Sequence, residues 1–217
     1  MSRAAKPHTR TPGFMQELLA GMDAVGQTPM HQSMSTSSAK HDPGGKSRPA
    51  WPADSVVTAR FSECGQYRYE LAEIWDQSKP LVLWILMNPS VACLDYSDPT
   101  LRKTGNFARA WGYGGQLIGN VHAYRATDKT RLLGVDDPVG PENDKSIESM
   151  ARRAKTVVLA YGAPPKQLKE RGQAVANALH HHGGLCCLRL AKDGITPVHP
   201  LYLPGDLLPK PYKGARR

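Results

Sequence analysis

Leu81-Val-Leu-Trp-Ile-Leu-Met-Asn-Pro-Ser90 is the stretch whose reading decides the fold. The residues before Asn88 are apolar without period-two alternation, the pattern of a strand covered on both faces and so of a parallel sheet. Asn-Pro ends the run abruptly, because Pro89 has no N–H to give to a ladder and the chain must turn. Ligands of α/β proteins bind outside the carboxyl ends of such strands. Asn88 is therefore a candidate site residue as well as a turn former.

Working outward, Val56-Val-Thr-Ala-Arg-Phe61 and Tyr67-Arg-Tyr-Glu-Leu-Ala-Glu-Ile-Trp75 alternate around Glu63-Cys-Gly-Gln66, the pattern of an antiparallel hairpin. On the other side, Asp98-Pro99-Thr100 opens a helix that runs to Trp111. Asp98 is its N-cap, Pro99 its first residue, and Leu101, Phe107, Ala108 and Trp111 its buried stripe. Strands are expected at 116–121, 156–161 and 185–190, and helices at 143–155 and 167–182. Strands alternating with helices imply right-handed crossovers. The expected fold is a three-layer α/β/α domain with a central, mainly parallel sheet, preceded by the hairpin.

Residues 1–54 are rich in Ser, Thr, Pro, Gly, Met and His, as in Met34-Ser-Thr-Ser-Ser-Ala-Lys-His-Asp-Pro-Gly-Gly45, and cannot bury enough apolar surface to order themselves. They are expected to form a disordered basic arm in which only 13–20 has helical spacing. Residues 55–212 then form a single domain, and 213–217 a basic tail.

The 217 residues suffice for a core without staples, and the four cysteines show neither CxxC nor metal-ligand spacing. They read as reduced core thiols. Neither a secretory signal nor an apolar span long enough for a bilayer is recognisable, so the expected location is cytoplasmic, with no membrane partner. The net charge of +9 favours polyanions, since Lys and Arg that neutralise phosphates release counterions. His180-His-His182 falls at a helix end, where cations meet the dipole. Its three imidazoles are expected to point to different faces, and no metal is assigned.

Polar residues follow three strands at their carboxyl ends. Asn88 and Ser90 follow the first, with Asp95 and Asp98 beyond. Asn120 ends the second, ahead of His122, Tyr124, Arg125 and Asp128. Lys192 and Asp193 follow the last, ahead of His199. In a parallel sheet these ends share one side, so Asn88, Asn120 and His199 are expected to converge on a solvent-facing cleft. Arg125 reads either as an ion-pair partner of Asp128 or as an anion clamp.

These residues carry a resemblance. Arg68–Leu203 resembles the bacterial domain of unknown function 1643 family, through Met87-Asn-Pro-Ser90, Asp98-Pro-Thr100, Trp111-Gly-Tyr-Gly114, Asn120-Val-His-Ala-Tyr-Arg-Ala-Thr-Asp128, Asp137-Pro-Val-Gly-Pro-Glu-Asn143, Lys192-Asp-Gly194 and His199-Pro-Leu-Tyr-Leu203. More distantly, the order of these motifs is similar to that of the uracil-DNA glycosylase superfamily. Leu86-Met-Asn-Pro-Ser90 resembles its Gly-Ile-Asn-Pro-Gly segment, Asn120 its base-reading Asn, and His199-Pro200 its late His-Pro. Leu86 and Ser90 depart from that pattern where glycines bring the backbone to the nucleotide, and Leu201 departs where a Ser is usual.

The resemblance implies a nucleobase-recognising domain that hydrolyses an N-glycosidic bond in DNA, RNA or a nucleotide derivative without a cofactor. Asn88 would position the attacking water and His199 would stabilise the departing base. Asn120 would read an amide-like base edge in bidentate fashion, with His122 and Tyr124 beside it. Ser90, Arg125 and Lys192 are the candidates for phosphate or another anion. A non-catalytic nucleic-acid or nucleotide-binding protein, and an enzyme of small anionic metabolites, are the alternatives.

Overall fold

A computed structural model of the chain describes residues 48–90, 92 and 94–214. The expected helical spacing at 13–20, Cys93 and most of the expected arm and tail lie outside the described residues.

Seven strands form one mixed sheet: β1 (Val56–Phe61), β2 (Arg68–Ile74), β3 (Leu81–Leu86), β4 (Gly115–Asn120), β5 (Thr156–Leu159), β6 (Leu185–Cys187) and β7 (Lys210–Pro211). Among the described residues three α-helices accompany it: α1 (Pro99–Ala110), α2 (Asn143–Arg153) and α3 (Lys169–Ala178). The strand order is β1-β2-β4-β3-β5-β6-β7. Pairing is parallel in β4-β3, β3-β5 and β5-β6, and antiparallel in β1-β2, β2-β4 and β6-β7.

The expectation of a mainly parallel sheet is thus corrected to a parallel centre with antiparallel flanks. The reason is connection length. The links at 62–67 and 75–80 are too short for a crossover helix, so β1, β2 and β3 must alternate in direction. The hairpin is part of the sheet, because β2 pairs directly with β4. The turn that leaves β2 brings the Asp76 carbonyl so close to Gly114, the residue before β4, that a Cβ would meet that oxygen at 1.9 Å, which makes glycine obligatory there.

Alternate residues of β3 enter two apolar clusters. Val82, Trp84 and Leu86 pack with Leu101, Phe107 and Ala108 of α1. Leu83, Ile85 and Met87 pack with Ile147 and Met150 of α2 and Val175 and Ala176 of α3. Asp98 caps α1 as expected, its side chain accepting from the Leu101 N–H at 2.9 Å, and Pro99 occupies the first turn. The folded unit reaches back past residue 55. The Pro49 carbonyl accepts from the Ser97 N–H, Trp51 packs on the α1 cluster, and Asp54 pairs with Arg109 at 2.8 Å.

Helix 167–182 is in fact divided into a 3-10 turn at Lys166–Leu168, α3, and a second 3-10 turn at His180–His182. Strand β6 is shorter than expected, and β7 completes the edge with buried Tyr212, whose hydroxyl donates to the Ile195 carbonyl at 3.0 Å. Cys187 is buried as expected of a core thiol, whereas Cys64 is exposed. No helix among the described residues is long and apolar enough to cross a membrane.

Candidate functional site

The parallel strands β4, β3 and β5 end on one side of the sheet, and the loops that leave them enclose a cavity of about 710 Å³. Asn88, Ser90, Asn120 and His199 all line it, so the expected convergence of the first, second and last polar segments is present. Arg68, Asp98, Lys129 and Tyr161 line it as well. A volume of this size suits a small ligand or one extruded nucleotide residue.

Asn120 is 2 % exposed, so the strand end is buried rather than solvent-facing. Asn143 at the start of α2 fixes its backbone, donating through Nδ2 to the Asn120 carbonyl at 2.9 Å. Arg68 Nη2 donates to Asn120 Oδ1 at 3.3 Å. A guanidinium can only donate, so Oδ1 must face it and Nδ2 is turned the other way. No protein partner accepts from that Nδ2 among the described residues. This corrects the bidentate expectation: Oδ1 is engaged by Arg68, and Asn120 offers chiefly a donor.

Arg68, like Lys129 and Tyr161, lines the cavity without having been singled out from the sequence. It is 3 % exposed at the start of β2, and Nη1 donates to the Ala92 carbonyl at 3.1 Å. Alternation in Arg68-Tyr-Glu-Leu71 places successive residues on opposite faces, but it does not say that an arginine there is buried. The only sequence signal was its place as the first residue of the motif-bearing segment.

Asn88 Nδ2 donates to the Ala126 carbonyl at 2.7 Å and to the Pro89 carbonyl at 3.1 Å, tying the β3 turn to the loop after β4. Both of these bonds use Nδ2, not Oδ1. His199 caps a 3-10 turn at Pro200–Tyr202, its Nδ1 accepting from the Leu201 N–H at 3.4 Å. A neutral imidazole that accepts at Nδ1 carries its proton on Nε2, so His199 is a donor. Gly162 makes room for it: at φ +67° its backbone is left-handed, and a Cβ would meet His199 Cβ at 2.9 Å.

Of the two carboxylates that follow Ser90 in the sequence, Asp98 lines the cavity and Asp95 does not. Lys129 Nζ donates to the Ala163 carbonyl at 2.6 Å across the rim. Burial pushes the Tyr161 phenol up, with Tyr212 adding to the effect, so it stays protonated.

Four expected residues lie elsewhere. Arg125 donates to the Gly65 carbonyl at 2.9 Å and stacks on Phe61, 5.0 Å from the ring centroid. It holds the β1-β2 hairpin and does not line the cavity. Tyr124 bridges to Tyr67, whose ring it meets edge-on at 5.8 Å. Lys192 is exposed on a turn tied by Asp193, whose carboxylate accepts from the Thr196 and Ile195 N–H groups.

His122 is 1 % exposed and does not line the cavity. Burial, reinforced by the charge of Arg171, lowers its pKa from 6.5 to about 4. Below pH 6.5 the unfolded chain takes up a proton that the folded chain refuses until about pH 4. Stability from this group is complete above 6.5 and falls away through that window, by a total of order 3 kcal/mol. Urea midpoints measured at pH 7 and pH 4.5 should therefore converge in His122→Leu, in which this component of the acid sensitivity is absent. An undiminished pH dependence in that variant would remove His122 as its source.

A family model described as "Protein of unknown function (DUF1643)" matches residues 68–201. The chain belongs to this family. No curated protein and no solved structure matches it. Within this DUF1643 chain the matched stretch opens on Arg68 and encloses Asn88, Asp98, Asn120 and His199, so the cavity's principal polar residues all come from the family region.

Proposed function

We propose that the cavity binds a nucleobase and hydrolyses its N-glycosidic bond, as the resemblance to the uracil-DNA glycosylase superfamily implies. The three-layer arrangement of that superfamily belongs to this reading, with α1 on one face of the sheet and α2 and α3 on the other. The observation that carries it is the Asn120 amide: a buried Nδ2 donor with no protein partner among the described residues, at the wall of a cavity with room for one nucleotide residue. Leaving a buried donor unsatisfied costs about 1–3 kcal/mol, so a carbonyl brought in by a ligand is strongly favoured there.

In this mechanism Asn88 Oδ1 accepts from a water and holds it against the sugar carbon. Asp98 uses one carboxylate oxygen on the α1 cap and takes the water proton with the other. The water oxygen bonds to the sugar carbon as the C–N bond breaks, and the electron pair leaves with the base. His199 Nε2–H donates to the base oxygen that gains this charge, in the manner of an oxyanion donor. The net charge of +9 supports a phosphate-bearing substrate.

The discriminating variant is Asn120→Asp. It keeps an acceptor for Arg68 and so preserves the wall, but it removes the Nδ2 donor. Affinity for oligonucleotides or nucleosides carrying a recognised base should fall by a factor of about 10 to 100, with the unfolding midpoint maintained. The substrates to screen carry uracil, hypoxanthine or modified pyrimidines, in single strands and mismatches, because flipping a paired base costs a few kcal/mol. Equal affinity in the two proteins overturns the base-reading role. Affinity lost on substitution without any base release by the parent protein favours a non-catalytic binding module.

A further inference from the structure

Away from the cavity, Glu148 of α2 meets the 3-10 turn His180–His182 that follows α3. His182 Nε2 lies 3.0 Å from both Glu148 Oε1 and Oε2, and His181 Nε2 lies 3.4 Å from Oε1. The His181 and His182 rings are 4.2 Å apart at their centroids. The expectation that three consecutive histidines face apart thus fails for two of them. The helix tightens into a 3-10 turn at that point, and Gly183 and Gly184, both at positive φ, turn the chain into β6.

The geometry points to a divalent transition-metal site formed by Glu148, His181 and His182, with zinc as its fitting ion. One ligand atom from each residue lies within 4.8 Å of the others. Zinc bonds of about 2.0–2.1 Å place tetrahedral ligands roughly 3.3 Å apart, and the His182–Glu148 and His181–Glu148 separations of 3.0 and 3.4 Å bracket that edge. Two imidazoles and a carboxylate suit zinc, nickel or copper rather than magnesium or calcium. Three protein ligands leave the fourth position to water. The site joins α2 to the amino end of β6, and none of its residues lines the cavity, so its role is to clamp these elements together. Arg152 Nη1, 2.8 Å from Glu148 Oε1, opposes the ion. Its side chain is 61 % exposed and can swing into solvent.

The test is calorimetric titration of the full chain with zinc chloride, together with thermal melts. The parent protein should bind one zinc equivalent that His181→Ala/His182→Ala loses and that His180→Ala, altered at the neighbouring imidazole, retains. Glu148→Gln should weaken that equivalent at least tenfold, and Arg152→Ala should tighten it by removing the competing cation. Zinc should raise the melting temperature of the parent but not of the double variant. Histidines elsewhere, such as His8, His31 and His41, are common to all these proteins and cancel in the comparison. Should the double variant fail to fold, Glu148→Gln decides the matter alone. Identical isotherms in the parent and these variants, or no zinc binding by the parent, overturn the site.

Discussion

His199→Ala should lower the turnover of N-glycosidic cleavage by two decades or more while KM moves only a few-fold. In the proposed mechanism the His199 donor would face an oxygen that carries little extra charge in the bound substrate and gains it only as the base departs. Its removal is therefore felt in the transition state, and a single such donor is worth about 10² to 10³ in rate. Asn88→Ala should produce a loss of similar size by releasing the water. It also removes the ties to the Ala126 and Pro89 carbonyls, so its unfolding midpoint must be measured beside its rate. Single-turnover release of free base from the oligonucleotide panel is the measurement. Turnover in His199→Ala equal to that of the parent would exclude this histidine from the chemistry.

Trp84→Ala should destabilise the domain by roughly 3–5 kcal/mol, the range for deleting a large aromatic from a packed core. Trp84 is fully buried at the centre of β3, with the rings of Trp111 and Phe107 at 5.4 and 6.1 Å between centroids. It supports the strand that delivers Asn88. Trp84→Phe is expected to cost far less, about 1 kcal/mol, because it keeps a ring in the gap. It also deletes an indole N–H that has no partner among the described residues. Denaturant unfolding of both variants checks the contrast, and equal losses in the two would show that this space does not depend on an aromatic ring.

Much of the cavity was legible because its residues are consequences of chain direction. An apolar run that stops at Asn-Pro, and later runs that end in Asn120 and lead to His199, place polar groups on one edge once the central strands are parallel. The roles given to Arg125 and Lys192 did not carry into the cavity, because proximity in sequence to a strand end does not fix where a long side chain goes. Arg125 follows β4 closely, yet it turns back to Gly65 and Phe61 on the hairpin. Arg68 is the converse case, remote in sequence from Asn120 by 52 positions and in hydrogen-bond contact with it.

The sequence by itself determined where the main strands and helices lie, β7 and the division of helix 167–182 excepted. Side-chain periodicity separates strands from helices, proline and glycine punctuate them, and Asp98 with Pro99 starts α1, all through interactions a few residues long. Only the tertiary structure decided how β2 and β7 join the sheet, which way the Asn120 amide faces, and that Glu148 meets His181 and His182. These depend on pairings between distant segments, where short connections dictate strand direction and a buried guanidinium dictates the orientation of an amide, and no local pattern in the chain encodes such contacts.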